Sequence, residues 1–271
     1  MLRLRQRIAL TLLLFASCGP ETPTEDLPAP VKAPELVQAD EEQLGVAFRQ
    51  LGAGDLNGCR MTAQGVLASS PAPATEARAH FLLGLGFHKA KQYADARAHF
   101  ESAQDGADYP SKNALPYYLG WCYFWLGELE LSESSFQQHV SATDEGDSHF
   151  GLGVIALERG QNKLAQEQLT IALKKFEARS ATGDMLARRD VAKAHARLSD
   201  IDFAAEDYAA AKEHLSLAVN LDSDRAAVWY KLYQVALELE DEALGARGLS
   251  EYMRCQNAKD AGSGMASEGG Q

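Results

Sequence analysis

The sequence predicts an all-α protein: about six helical hairpins stacked in one row as a solenoid. Three observations carry this expectation. The dipeptide Leu-Gly recurs at Leu83-Gly84, Leu119-Gly120 and Leu152-Gly153, at spacings of 36 and 33 residues, a period that belongs to stacked helix pairs. Small residues return at matching places within each unit, where two antiparallel helices would have to approach closely. Large apolar residues follow them at regular offsets. No β-strand is expected.

The chain has 271 residues, 46% of them hydrophobic, enough to bury a sizeable core. It opens with a basic segment, Met1–Arg7, and the short apolar run IALTLLLFA. That run is far shorter than the ~20 residues needed to cross a bilayer, and the pattern reads as a cleavable signal peptide over residues 1–17. Phe15-Ala16-Ser17-Cys18 then resembles the bacterial lipobox, although Phe15 stands where Leu is usual. The resemblance implies lipidation of Cys18 as the first residue of the mature chain. Several acyl chains hold a protein on a membrane stably, where one would not. The alternative is an ordinary signal peptide followed by a chance cysteine. Gly19, where Asp would signal retention in the inner membrane, implies by the same resemblance an outer-membrane lipoprotein facing the periplasm.

Residues 18–39 hold five of the nine prolines, many acids and few large apolar side chains. Such a segment cannot build a core and is expected to serve as an extended tether. The end of the chain, 258–271, is rich in Gly, Ser and Ala and is expected to be disordered.

Between them the repeat units fall near 40–73, 77–110, 113–145, 146–190, 192–225 and 226–257. In the clearest, Leu83 and Gly84 lead to Phe87, Tyr93, Ala96, Phe100 and Ala103. The third unit places Gly120, Tyr123, Gly127 and Phe136 alike, and the fourth Gly153, Gly160, Ala165, Leu169 and Ala172. The fifth has Tyr208, Ala211, Leu215 and Ala218. Trp229 opens the sixth, where Tyr233 stands in the small-residue place and suggests looser packing. The weaker first unit uses Gly54, Cys59 and Ala63 as its small residues, with Pro71 at the junction. These units resemble tetratricopeptide repeats over about residues 40–257. The resemblance implies a right-handed superhelix, since each hairpin leaves an apolar face that only a neighbour can cover. One spacing fails: about a dozen extra residues around Phe176–Val191 should extend a helix or add a loop.

The formal net charge is −12, and loss of Arg3, Arg5 and Arg7 with the signal peptide makes it −15. A surface so acidic repels phosphate backbones, so nucleic acid is not an expected partner. Catalytic signatures are missing: no H-E-x-x-H, phosphate loop or G-x-S-x-G is present. Gly151-x-Gly153-x-x-Ala156 imitates a dinucleotide loop but lies within a helix. His80, His149 and His195 recur at one repeat position and so fill a structural slot. The cysteines show no metal-ligand spacing. Cys59 and Cys122 read as small buried hydrophobes, and Cys255 as a free thiol. No catalytic residue, metal, cofactor or small-molecule substrate is expected.

In tetratricopeptide proteins the first helix of each hairpin lines the concave face, three residues before the small residue, one after it and four after it. Carried onto this chain, that stripe names Phe81, Leu85 and His88, then Tyr117, Trp121 and Phe124 with Trp125 beside them. Phe150, Val154 and Leu157 follow, then Ala196, Asp200 and Phe203, then Tyr230, Gln234 and Leu237. The middle of this groove reads as apolar and aromatic, and such a patch on an acidic protein marks a binding surface. The expected function is a membrane-anchored scaffold or adaptor of the bacterial cell envelope that binds a segment of another envelope protein. Small lipoproteins with about six such repeats also resemble the pilotins that assist secretin assembly. An adaptor for a cell-wall enzyme or protease is the other alternative.

Overall fold

The computed structural model describes residues 34–268, with side chains over 35–259. Cys18, the signal peptide and residues 18–33 of the tether lie outside the described residues. Among those described there are twelve α-helices, one short 3-10 turn and no strand. The helices pair in chain order: α1 (Pro34–Ala53) with α2 (Leu56–Ala68), α3 (Pro73–Lys89) with α4 (Tyr93–Asp105), and α5 (Leu115–Trp125) with α6 (Leu129–Thr143). Then come α7 (Gly146–Glu158) with α8 (Asn162–Ala181), α9 (Met185–Ala204) with α10 (Tyr208–Leu221), and α11 (Ala226–Glu238) with α12 (Glu242–Glu268). Each helix packs on its chain neighbours, and α1, α3, α5, α7 and α9 also touch in succession. Contacts confined to neighbours are the mark of a solenoid.

One contact recurs inside the hairpins. A Cβ at Gly84 would lie 2.5 Å from the Phe100 ring, one at Gly120 2.7 Å from Phe136, and one at Gly153 2.7 Å from Leu169. The large partner stands sixteen residues after the small one each time and is fully buried. The same spacing relates Ala47 to Ala63 and Ser199 to Leu215, all buried. Bare backbone on the first helix lets the second helix press a side chain flat against it. The sixth hairpin keeps the close approach by moving the small residue across: a Cβ at Gly248 on α12 would lie 3.0 Å from the Tyr233 backbone. Tyr233 therefore does not loosen the hairpin. In the first hairpin Gly54 is not a packing residue. It sits in the turn at φ +84° with nothing nearby.

Each hairpin turn holds one left-handed residue: Gly54, Lys91, Gly127, Gly160, Glu206 and Glu240. Such a residue ends a helix by turning its last carbonyls back on the chain.

Three further expectations change. Pro34–Ala39, assigned to the tether, is the start of α1; proline fits the first helical turn because its missing N–H has no intrahelical partner there. Residues 258–268, assigned to a disordered tail, continue α12, since a helix already nucleated by packing adds residues cheaply. The extra residues of the fourth unit lengthen two helices, α8 and α9, each 20 residues long. Asp184 caps α9, accepting from the Leu186 and Ala187 amides. Arg179 bridges the base of this extension to Asp147 and Asp190, each at 2.8 Å.

Cys59 and Cys122 are fully buried, and the free thiol of Cys255 is buried too, 3.4 Å from the Ser223 carbonyl. The histidine slot is a pairing. His80 Nδ1 meets His99 Nδ1 at 3.0 Å, His195 Nδ1 meets His214 Nδ1 at 2.9 Å, and His149 Nδ1 meets Gln168 Oε1 at 2.8 Å, each pair nineteen residues apart. Burial, and then the neighbouring His214, push His195 down from 6.5 to about 4.

We expect Gly120→Ala to lower the urea midpoint, with a loss of about 1–3 kcal/mol from overpacking against Phe136. Gly65→Ala, in α2 with nothing within 4 Å, should instead raise stability by about 0.5–1 kcal/mol. A second expectation concerns acid. The unfolded chain protonates His195 near 6.5 and the folded chain only near 4, so its neutral form supports the fold above 6.5 and that support drains away as pH falls toward 4. Asp202, 3.7 Å from His214 and raised by burial, acts in the opposite sense. Urea titrations should show stability falling from pH 7 to pH 5, by about 2 kcal/mol from His195 alone. His195→Gln should reduce that fall, leaving the part due to His80, His88, His99 and His139, which burial also lowers.

Candidate functional site

A cavity of about 530 Å³ opens along the first helices of the second to sixth hairpins. One wall is aromatic. On α5, Leu119 and Cys122 point into the core, while Tyr117, Trp121 and Phe124 share another face and line the cavity. Trp121 is half-buried and held edge-on by Phe136 at 5.2 Å and Phe124 at 5.6 Å. Phe150 stands 6.2 Å from it across the α5–α7 contact. Trp125, 57% exposed, stacks on Tyr93 at 5.6 Å. Val154 and Phe176 complete this wall, and His88 closes its end between the rings of Tyr93 and Tyr118. Burial lowers the pKa of His88, favouring the neutral ring, and its Nε2 is buried without a hydrogen-bond partner among the described residues. Burial also raises the Tyr117 phenol, which therefore stays protonated.

The rest of the lining is charged. Lys193 and Arg197 on α9, Arg225 at the N-cap of α11, and Lys231 on α11 face the cavity together with Asp147 and Asp190. Lys193 bonds Asp190 at 2.8 Å, Arg197 reaches Asp200 at 3.3 Å, Lys231 also pairs with Asp200, and Arg225 lies 3.9 Å from Asp222. The expectation of an apolar groove therefore holds for half of it.

Eight predicted groove residues come together here: His88, Tyr117, Trp121, Phe124, Trp125, Phe150, Val154 and Ala196. The others do not. Phe81, 7% exposed, is core, packed on Phe100, Tyr109 and Tyr118. Leu85 and Leu157 are partly buried against the clusters between helices. Phe203, Asp200 and Gln234 line a smaller recess of about 100 Å³. Tyr230 and Leu237 are exposed, Tyr230 against Tyr252 at 5.3 Å.

The residues that fall outside the cavity share a cause. Counted from the small residue of each hairpin, the lining lies at +1 to +5 along most of α5, but at −9 to −2 on α9 and α11. The cavity crosses the first helices diagonally, from the C-terminal ends of α3 and α5 to the N-terminal halves of α9 and α11. A stripe read at one fixed register follows it for two hairpins and then leaves it. The cations two, six and eight residues before the small position were the missed signal.

Among the described residues no group of three or more His, Cys, Asp or Glu is placed to hold a metal ion. The glycines of the apparent dinucleotide loop are packing residues: a Cβ at Gly151 would lie 2.6 Å from Phe136, and Gly153 faces Leu169. No helix among the described residues is long and apolar enough to cross a membrane.

No protein-family model and no curated protein matches the sequence. Solved structures do. A chain of the APC/C hetero-tetramer Cut9–Hcn1 is similar with a TM-score of 0.64 and 16% identity over 82% of this chain, which spans 42% of that one. PilW, a widely conserved type IV pilus biogenesis factor, gives a TM-score of 0.63 and 15% identity over 79% of this chain and 92% of its own. Pseudomonas aeruginosa PilF gives 0.63 and 15%, over 83% and 99%. At these identities the likeness establishes the fold, a solenoid of tetratricopeptide type.

Proposed function

We propose that this chain is an interaction scaffold of the bacterial cell envelope, which binds a segment of another envelope protein along the groove between its first helices. The observation that carries this reading is the cluster around Trp121: large rings, half-buried and open to a cavity of about 530 Å³. Aromatic side chains held rigidly at the centre of a concave surface are the usual anchors of a protein interface. Attachment to a membrane rests on the sequence around Cys18, and an outer-membrane position facing the periplasm on Gly19.

A second reading is a pilotin-like assembly factor for an outer-membrane secretin. It is favoured by the fold shared with PilW and PilF over nearly the whole of those two chains. An adaptor for a cell-wall enzyme or protease remains the third.

Affinity capture from envelope extracts tests the groove. The wild-type chain should retain a partner that Trp121→Ala/Phe124→Ala loses by ten-fold or more, as hot-spot truncations of about 2 kcal/mol or larger do. Circular dichroism of the variant controls for folding, because Trp121 also packs on Phe136. Equal capture by both proteins would make the aromatic cluster structural. A secretin among the lost proteins would favour the second reading, and a wall enzyme or protease the third. Membrane attachment has its own test: Cys18→Ser should move the protein from the membrane to the soluble fraction.

A further inference from the structure

Resting on the groove reading above, we propose that its occupant is an amphipathic segment of another protein with large apolar side chains along one edge and acidic side chains along the other. The chain carries 38 acidic and 26 basic residues, yet the cavity lining holds four cations, Lys193, Arg197, Arg225 and Lys231, against two carboxylates, Asp147 and Asp190. The charge balance of the whole chain is inverted there.

The two lining carboxylates are already occupied. Arg179 binds both at 2.8 Å, from the base of the extension that lengthens α8 and α9. The cations keep capacity. Their side chains are 35–43% exposed. Arg197 and Lys231 share the single carboxylate of Asp200, and the ion pair of Arg225 with Asp222 spans 3.9 Å. A guanidinium has five N–H donors, so an incoming carboxylate adds to these pairs without breaking them. Exposed pairs of this kind are worth little in themselves, which lowers the cost of rearranging them. The apolar edge of the occupant would lie on Trp121, Phe124 and Phe150, and its acidic edge on α9 and α11. The long-range field of the chain repels acidic partners, so the groove selects an occupant that presents acid and apolar surface together.

The test uses the full chain and two synthetic peptides without tryptophan. Both carry leucine and phenylalanine at helical spacing; one has glutamate between them and the other lysine. Trp121 and Trp125 report binding through their emission, while Trp229 is 3% exposed and bonded to the Ser223 carbonyl. We expect the glutamate peptide to bind about ten-fold tighter than the lysine peptide at low salt, with the gap closing as salt rises. Lys193→Glu/Arg197→Glu should reverse that order, and Arg225→Glu, which disturbs the weakest native pair, should reduce it by a few-fold with an unchanged circular-dichroism spectrum. Equal binding of the two peptides, a preference for lysine, or binding of neither overturns the charge inference. If both bind equally and Trp121→Ala loses both, the groove stands and the acidic occupant falls. If Trp121→Ala changes nothing, the groove reading itself falls. A synthetic copy of Glu21–Val31 that outcompetes the glutamate peptide would assign the groove to this chain's own segment and overturn the proposal of a partner.

Discussion

The structure depends on one contact, made between the two helices of a hairpin: a large apolar side chain laid against bare backbone sixteen residues earlier. Phe100 on Gly84, Phe136 on Gly120 and Leu169 on Gly153 draw the helices together closely enough that a methyl group would not fit. Close packing makes that distance sharp, because interiors at this density transmit any added volume as strain. With the spacing inside each hairpin set, each apolar outer face can be covered only by the next hairpin, and the solenoid follows. The sixth hairpin shows that the constraint is the approach and not the position of the glycine, since Gly248 supplies from α12 what Tyr233 denies on α11.

The groove is a by-product of that stacking. Phe136 belongs to both: its ring covers Gly120 within the hairpin and Gly151 on the next one, and it packs edge-on against Trp121. An anchor residue backed by a fully buried ring is rigid before any partner arrives, which reduces the ordering cost of binding. The charged wall is organised differently. Arg179 ties α8 to the first turn of α7 and to α9, so the extension of the fourth unit props the helix from which Lys193 and Arg197 project. The irregular part of the repeat thereby becomes the part that shapes the site.

The paired histidines obey the same repeat logic on a smaller scale. A first-helix histidine meets a second-helix residue nineteen positions later, and that residue is histidine twice and glutamine once. The geometry repeats between hairpins while the titrating group does not. Acid sensitivity is therefore a local property of individual hairpins, and its strength depends on burial, deepest in effect at His195.

The sequence by itself determined the helical hairpins, their number and the close contacts of the second to fourth, because these rest on short-range periodicity: a glycine and a large apolar residue sixteen positions apart can be read off a single repeat. It also placed the aromatic wall, since Tyr117, Trp121 and Phe124 lie on one face of one helix. Only the tertiary structure decided what shares the cavity with it. Lys193, Arg197, Arg225 and Lys231 belong to other hairpins and other helical registers, and they meet the aromatic wall because the cavity crosses successive first helices diagonally. Phe81 and Phe203, by the same geometry, left the predicted stripe for the core and for a smaller recess. Rotation accumulated from hairpin to hairpin is a long-range quantity. No local pattern records it, and it decides which residues share a site.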